Sequence, residues 1–367
     1  MRQLLRALPF SVGLIVPLGA IWVALHPAGF TLVALPLFLF GLIPLLDLVM
    51  GIDKAELEPD ASKARDWRYD LWLWAWIPLQ LAALGVALHV VAGGRHGESS
   101  GALSWSAFLL LALSIGLVTG AGINVAHELM HRRGKIERAL AELMMTTTTY
   151  THFCVEHVHG HHKHVSTPND PASSLKGESL YAYLPRTLVG GLRSAWRIES
   201  RRRAGLPLSL RDRRVRYPLI LAIVYAVVVV VAGPWGAVFF ALQSVVAMTL
   251  LEIINYIEHY GLARRELSPG VYERCLPAHS WNASERLTNW FLFHLQRHAD
   301  HHHLASRPYF ALRHIEDSPQ MPTGYAGMVL LALVPPLWRR VMDPRVEAFG
   351  ARWLQVEPCE EKSIGVR

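Results

Sequence analysis

Cysteine is nearly missing from this 367-residue chain: Cys154, Cys275 and Cys359 are the only three, and no two form a C-x-x-C pair. That excludes a disulfide scaffold, a zinc ribbon and a rubredoxin-like four-cysteine iron site within the chain. Charge is scarce as well. Lys, Arg, Asp and Glu make up 18% of the residues, against about 25% in soluble domains. Internal repeats, low-complexity tracts and Gly-Ser linkers are absent, so residues 1–340 read as one domain with a polar tail over 341–367. Hydrophobic residues supply 52% of the chain. An ordinary soluble two-domain protein is excluded.

Long uncharged runs fill the gap. About 20 apolar residues at 1.5 Å each cross a hydrocarbon core of roughly 30 Å. Six stretches fit and contain no Lys or Arg: 9–26, 29–46, 71–92, 103–126, 217–232 and 235–256. The expected fold is all-α, a polytopic membrane protein with six transmembrane helices. No charged segment followed by a small-residue cleavage site is evident around the first run, which reads as a retained helix. A seventh stretch, 324–337, is too short to span, holds Pro335 and Pro336, and reads as packed or interfacial.

Of the 36 Lys and Arg, only Arg95 falls on one side of this layout. By the positive-inside rule the other side, with both termini, is cytoplasmic. This predicts an inner-membrane protein and turns the net charge of +7 into a topology signal rather than a nucleic-acid one. Residues 186–216 carry ten Arg against Glu199 and Asp212. That stretch suits anionic headgroups, or a surface for an acidic partner.

Histidine is in excess, with 19 residues, and most fall in four clusters on the predicted cytoplasmic side. H-E-L-M-H carries His127 and His131. E-H-V-H-G-H-H carries His157, His161 and His162. N-Y-I-E-H-Y-G-L carries His259, and L-Q-R-H-A-D-H-H-H carries His298, His301 and His302. Spacings of i, i+3 and i+4 put imidazoles on one helix face, and imidazole binds iron, zinc, copper or nickel. H-E-L-M-H matches a zinc-protease template, but a protease needs one further ligand and seven are present. Nine His suit two ions with four or five ligands each, and such a His-rich pair suits redox iron and O2.

Single histidines ordinarily serve as surface or hydrogen-bonded core residues, and His26, His89, His96, His279 and His314 are read that way. His152, His159, His164, His294 and His303 stand between that reading and a supporting or access-path role. Glu128, Glu156, Glu258 and Asp300 adjoin the nine and could orient imidazoles through their distal N–H. Asn124, Glu252 and Asn255 lie near the inner ends of apolar spans, where polar groups need partners. No catalytic residue beyond the metal ligands is assigned.

On an apolar scaffold, the pattern H-x-x-x-H, H-x-x-x-H-H, H-x-x-H-H resembles the integral-membrane di-iron desaturases and hydroxylases. H-E-L-M-H-R, E-H-V-H-G-H-H-K-H-V-S-T-P-N-D-P-A-S, N-Y-I-E-H-Y-G-L and L-Q-R-H-A-D-H-H resemble the signatures of bacterial membrane alkane 1-monooxygenases, from about the first span to residue 330. The resemblance implies that the nine histidines hold two iron ions, with O2 as co-substrate. It also implies oxidation of medium-chain n-alkanes to primary alcohols, with electrons from rubredoxin and its reductase. With no C-x-x-C pair here, that donor is expected in trans, or from a fused domain that has been removed. The extra His159, His164 and His303 depart from the pattern. An alkane offers no polar handle, so an apolar slot open to membrane lipid is expected. The alternatives are a fatty-acyl desaturase or another hydrocarbon hydroxylase and, from a different class, a His-rich metal transporter. Transporters place ligands near the midplane, which these spans do not.

Overall fold

The computed structural model describes residues 2–56, 65–93 and 103–353. Arg95, His96, Cys359 and residues 354–367 of the expected tail lie outside the described residues. Among the described residues, five helices are long and apolar enough to cross a membrane: α1 (Leu4–Leu25), α2 (Thr31–Met50), α3 (Trp67–Gly93), α4 (Trp105–Met130) and a helix of 47 residues, Arg213–His259. Between the last two lie α5 (Lys135–Thr146), α6 (residues 153–164) and α7 (Leu180–Arg202), so Arg213–His259 becomes α8. Short helices α9 (Arg286–Phe291), α10 (His298–His303) and α11 (Tyr325–Ala332) follow, then α12 (Pro335–Trp353). Among the described residues, strand is confined to one hairpin, Glu266–Ser268 with Val271–Tyr272.

α8 is not one rod. A straight helix of its length would extend about 70 Å, over twice the hydrocarbon thickness. Its Gly233 has φ 70° and ψ −178°, a conformation that glycine alone adopts at little cost, and Pro234 follows. Tyr225 and Phe240 would stand about 22 Å apart along a straight helix, yet their ring centroids are 5.2 Å apart. The chain therefore reverses at Gly233, between the predicted fifth and sixth spans.

α4 is the central helix, buried along most of its length. It meets the second half of α8 at two glycines one turn apart, Gly116 and Gly120, the small-residue spacing that lets membrane helices approach closely. A Cβ at Gly116 would lie 2.5 Å from Val246 Cβ and 2.7 Å from the Gln243 carbonyl oxygen. Gly116→Leu is therefore expected to cost about 1–3 kcal/mol through overpacking. Thermal inactivation in detergent reads this as a lowered midpoint, and an unchanged midpoint contradicts the packing.

Several polar groups inside the spans find partners, as a membrane interior demands. Gln80 of α3 accepts from Trp76 Nε1 at 2.9 Å and donates to Thr147 Oγ1 at 2.9 Å. Gln243 of α8 accepts from Thr119 Oγ1 at 2.7 Å and donates to the Thr147 carbonyl at 2.7 Å. The Thr-rich turn after α5 is thus pinned between α3 and α8, which fixes where α6 begins. On α2, Asp47 is buried and accepts from the Thr288 backbone N–H at 3.0 Å and from its hydroxyl, which anchors α9.

The stretch 324–337 is packed, with Tyr325, Met328 and Val329 buried. Residues 341–353 continue α12, whose Trp338, Met342, Val346 and Phe349 form a buried stripe at helical spacing. Tyr260 Oη donates to Asp343 at 2.7 Å, and Lys176 pairs with Glu347 at 2.5 Å. The charged residues between those apolar positions disguise the stripe as a polar tail.

Candidate metal centre

Four segments bring the nine predicted histidines to one place. α4 carries His127, with His131 at its cap; α6 carries His157, His161 and His162; α8 ends on His259; α10 carries His298, His301 and His302. They form two groups, His127–His131–His157–His162–His301 and His161–His259–His298–His302, each with ring nitrogens within 4.8 Å of one another.

Helical spacing accounts for His127 with His131 and for His298 with His302, each pair four apart in one group. α6 behaves differently. Its residues 157–161 form a π-turn, a local widening common at functional sites. His157 therefore faces His162, five residues on, with Nε2 atoms 3.0 Å apart, and His161 turns to the other group. Gly160 permits the turn: a Cβ there would lie 2.5 Å from Glu156 Oε1.

The nitrogens converge as ligands do. In the five-membered group, His131 Nε2 lies 3.1 Å from His157 Nε2 and 3.2 Å from His162 Nε2, and His301 Nε2 lies 3.1 Å from His162 Nε2. In the four-membered group, His161–His302 is 3.2 Å and His298–His259 is 3.3 Å. Two ligands with bonds of about 2.1 Å to one ion sit roughly this far apart. His127 Nε2 is buried with no protein partner. Burial, then neighbouring histidines, holds His157, His162, His301 and His302 far below the usual imidazole range, and His131 down to about 3. In the neutral form that this favours, each ring offers a lone pair to a metal. Either group could hold a metal ion of the iron, zinc, copper or nickel type.

The carboxylates sort themselves by partner. Glu128 pairs with Arg132 at 3.1 Å, which also reaches Asp70 at 2.7 Å. Asp300 is clamped by Arg307 and Arg313 at 3.2 and 2.9 Å. Both support α4 and α10 rather than an imidazole. Glu156 is buried with Oε1 unpartnered and pushed up to about 8 by burial and then by Asp170. Glu258 accepts from Tyr325 Oη at 2.7 Å and approaches His298 Nε2 at 3.1 Å, on the side facing His259. Asn124 donates to the Leu292 carbonyl at 2.6 Å. Asn255 hydrogen-bonds Glu252, which also accepts from Tyr150 at 2.7 Å and Thr187 at 2.8 Å.

Two partners escaped the sequence reading. Asp170 is buried, and its Oδ2 accepts from His161 Nδ1 at 2.9 Å. Burial works against both charges, but each offsets it for the other: Asp170 is held low and His161 raised. The His279 carbonyl faces His259 Nδ1 at 3.4 Å. Asp170 stands nine residues after His161 in a turn, with no helical spacing to flag it. Of the intermediate histidines, His294 faces the Tyr309 carbonyl at 3.2 Å. His152, His159, His164 and His303 belong to neither group.

A cavity of about 970 Å³, counted with its open mouth, runs to the centre. Its wall on α4 is Leu117, Gly120, Ala121, Asn124 and His127, one helix face about 15 Å long. Val16, Leu39, Phe40 and Ile43 also line it. It ends on His127, His157 and His298, which come from both histidine groups.

Residues 103–332 match the fatty acid desaturase family. The chain is 47% identical over 320 residues to an alkane 1-monooxygenase 2 of Pseudomonas aeruginosa, covering 85% of this chain and 83% of that one. It is 43% identical to an alkane 1-monooxygenase 2 of Alcanivorax borkumensis (85% and 82% covered). It is 28% identical to the xylene/toluene monooxygenase hydroxylase component of Pseudomonas putida (86% and 82% covered). Two histidine groups at the end of an apolar slot, on a helical scaffold with this degree of identity, make the chain a member of the alkane 1-monooxygenase family, within the wider fatty acid desaturase family.

Proposed function

We propose that this protein hydroxylates the terminal carbon of medium-chain n-alkanes, with O2 as oxidant and two iron ions held by the nine histidines. The observation that carries the reading is the apolar cavity ending between the two histidine groups. His127, His131, His157, His162 and His301 hold one ion, and His161, His259, His298 and His302 the other. Bound iron supplies the O2 chemistry. The reversal at Gly233 makes six crossings of the inner membrane, with both termini and the metal centre on the cytoplasmic side. Rubredoxin, reduced by its reductase, delivers electrons there.

The residues supply binding and position. An alkane gains about 0.8 kcal/mol per buried CH2 and has nothing to hydrogen-bond. Half-buried Phe40, Leu250, Ile254 and Ala326 line the slot toward the outside, where lipid already dissolves the substrate. The closed end admits a chain end only, so the strong terminal C–H bond is chosen by placement. Asn124, Asn255 and Glu258 are the polar groups near that end, and their hydrogen bonds to protein leave the slot apolar.

Ala121 stands six residues before His127 on the slot face, about 9 Å along the helix. Ala121→Phe is expected to cut turnover of long alkanes at least about tenfold while sparing short ones. Product analysis across a chain-length series checks it, and an unchanged profile overturns the slot.

A second reading, hydroxylation of an arene methyl group, draws on the xylene/toluene relative. The slot's length along α4 favours a flexible chain. Cells making the protein and fed n-dodecane with p-xylene decide between them: 1-dodecanol in excess supports the proposal, and 4-methylbenzyl alcohol in excess overturns it.

A further inference from the structure

We propose that a second, polar passage through His152 brings protons to the metal centre and lets product water leave. It rests on the hydroxylase reading, whose balance requires such a route. One alkane, one O2, two protons and two electrons from a one-electron iron–sulfur donor give one alcohol and one water. The substrate C–H bond becomes C–O–H, the O–O bond breaks, and the second oxygen departs as water. The slot is mainly apolar, and its polar side chains other than histidine, Asn124, Asn255, Glu258, Thr288 and Tyr325, are each hydrogen-bonded to protein rather than strung into a chain of proton carriers.

Two further cavities lie on the other side of α6. The inner one, about 290 Å³ counted with the open space it adjoins, is lined by Tyr150, His152, Glu156, Thr187 and Glu252 and reaches His161. The outer one, about 460 Å³ counted with its open mouth, sets His152, Glu199, Arg213 and Arg214 among apolar side chains such as Leu192, Trp196 and Leu221. His152 forms part of both walls. Its Nε2 is buried with no protein partner, as is Oε1 of Glu156 in the inner cavity. The inner space is tight, with room for about one water molecule, and buried polar atoms left without a protein partner are normally satisfied by such ordered water. The His152 ring packs 4.6 Å from that of Tyr150, whose hydroxyl donates to Glu252 at 2.7 Å.

The inner cavity and the slot share Phe153 and Asn255, so the two routes meet at the centre from opposite directions. Imidazole can accept a proton on one nitrogen and release it from the other. Burial pushes His152 down to about 4, which keeps it neutral between turnovers. The hydrocarbon comes from the lipid side and the protons from the arginine-lined side.

His152→Phe fills the junction with an apolar ring, His152→Gln keeps a polar side chain, and Gly191→Val narrows the inner cavity without touching a histidine. A Cβ at Gly191 would sit 3.9 Å from Glu156 Cγ, an ordinary contact. The iron-loaded enzyme is assayed with n-dodecane for kcat, KM, peroxide released per electron pair, and the rate ratio in H2O and D2O. His152→Phe is expected to lower kcat at least about tenfold, with KM and iron content unchanged. More peroxide and a larger solvent isotope effect accompany it. His152→Gln stays closer to the unmodified protein, and Gly191→Val moves as His152→Phe does. Unchanged kcat and isotope effect in His152→Phe overturn the passage. So does equal loss of iron in His152→Phe and His152→Gln, which makes His152 a packing residue. Should His152→Phe fail to fold, Gly191→Val decides alone. Alcohol formation by the unmodified protein, measured alongside, separates failure of the passage from failure of the hydroxylase reading.

Discussion

His131→Ala is expected to lower alkane hydroxylation by more than about 100-fold and bound iron from two ions toward one. The reason is geometric. His131 lies 3.1 and 3.2 Å from the Nε2 atoms of His157 and His162, so its loss opens one side of the five-histidine group. Groups that only orient a ligand already cost 10–100-fold when changed, and a ligand should cost more. His302→Ala should empty the other group in the same way. His303→Ala is the control: that ring is exposed and belongs to neither group, and activity should stay within about twofold. Iron content and product yield on the same preparations read all three. Full iron and full activity in His131→Ala would contradict the assignment.

Asp170→Asn is expected to cost about 10–100-fold in activity or iron retention. Asp170 fixes the His161 ring through Nδ1, so that Nε2 faces His302 at 3.2 Å. Asparagine keeps the shape but loses the charge and can present its amide N–H to the ring instead. The loss should be local. Of two iron environments in a Mössbauer spectrum, the one held by His161, His259, His298 and His302 should change and the other persist. A variant with native activity and both environments intact leaves Asp170 as a turn-former for Ser173 and Ala172, which it also bonds.

Most of the candidate metal centre is legible in the sequence because helical spacing and number point to the same nine histidines that the fold brings together. Their division is not legible. It depends on a π-turn that puts His157 with His162, and no residue but Gly160 hints at it. Asp170 is hidden for a related reason: tertiary packing, not periodicity, carries it to His161. Carboxylates beside the ligands mislead, since Glu128 and Asp300 turn away to arginines. Gly233-Pro234 marks a chain reversal in the sequence and in the fold alike. The packed helix over 341–353 is missed because charged residues outnumber its apolar stripe. Slot-lining residues such as Ala121 cannot be ranked from hydropathy, since every span is apolar on all sides.

The most direct test is the fate of labelled oxygen. Purified, iron-loaded protein is given n-dodecane, rubredoxin with its reductase, and ¹⁸O2, and the products are identified by mass. The expected result is 1-dodecanol carrying one ¹⁸O atom, which joins the histidine centre, the O2 chemistry and end-on insertion in one product. Internal alcohols, a desaturated chain or unlabelled alcohol would contradict the account.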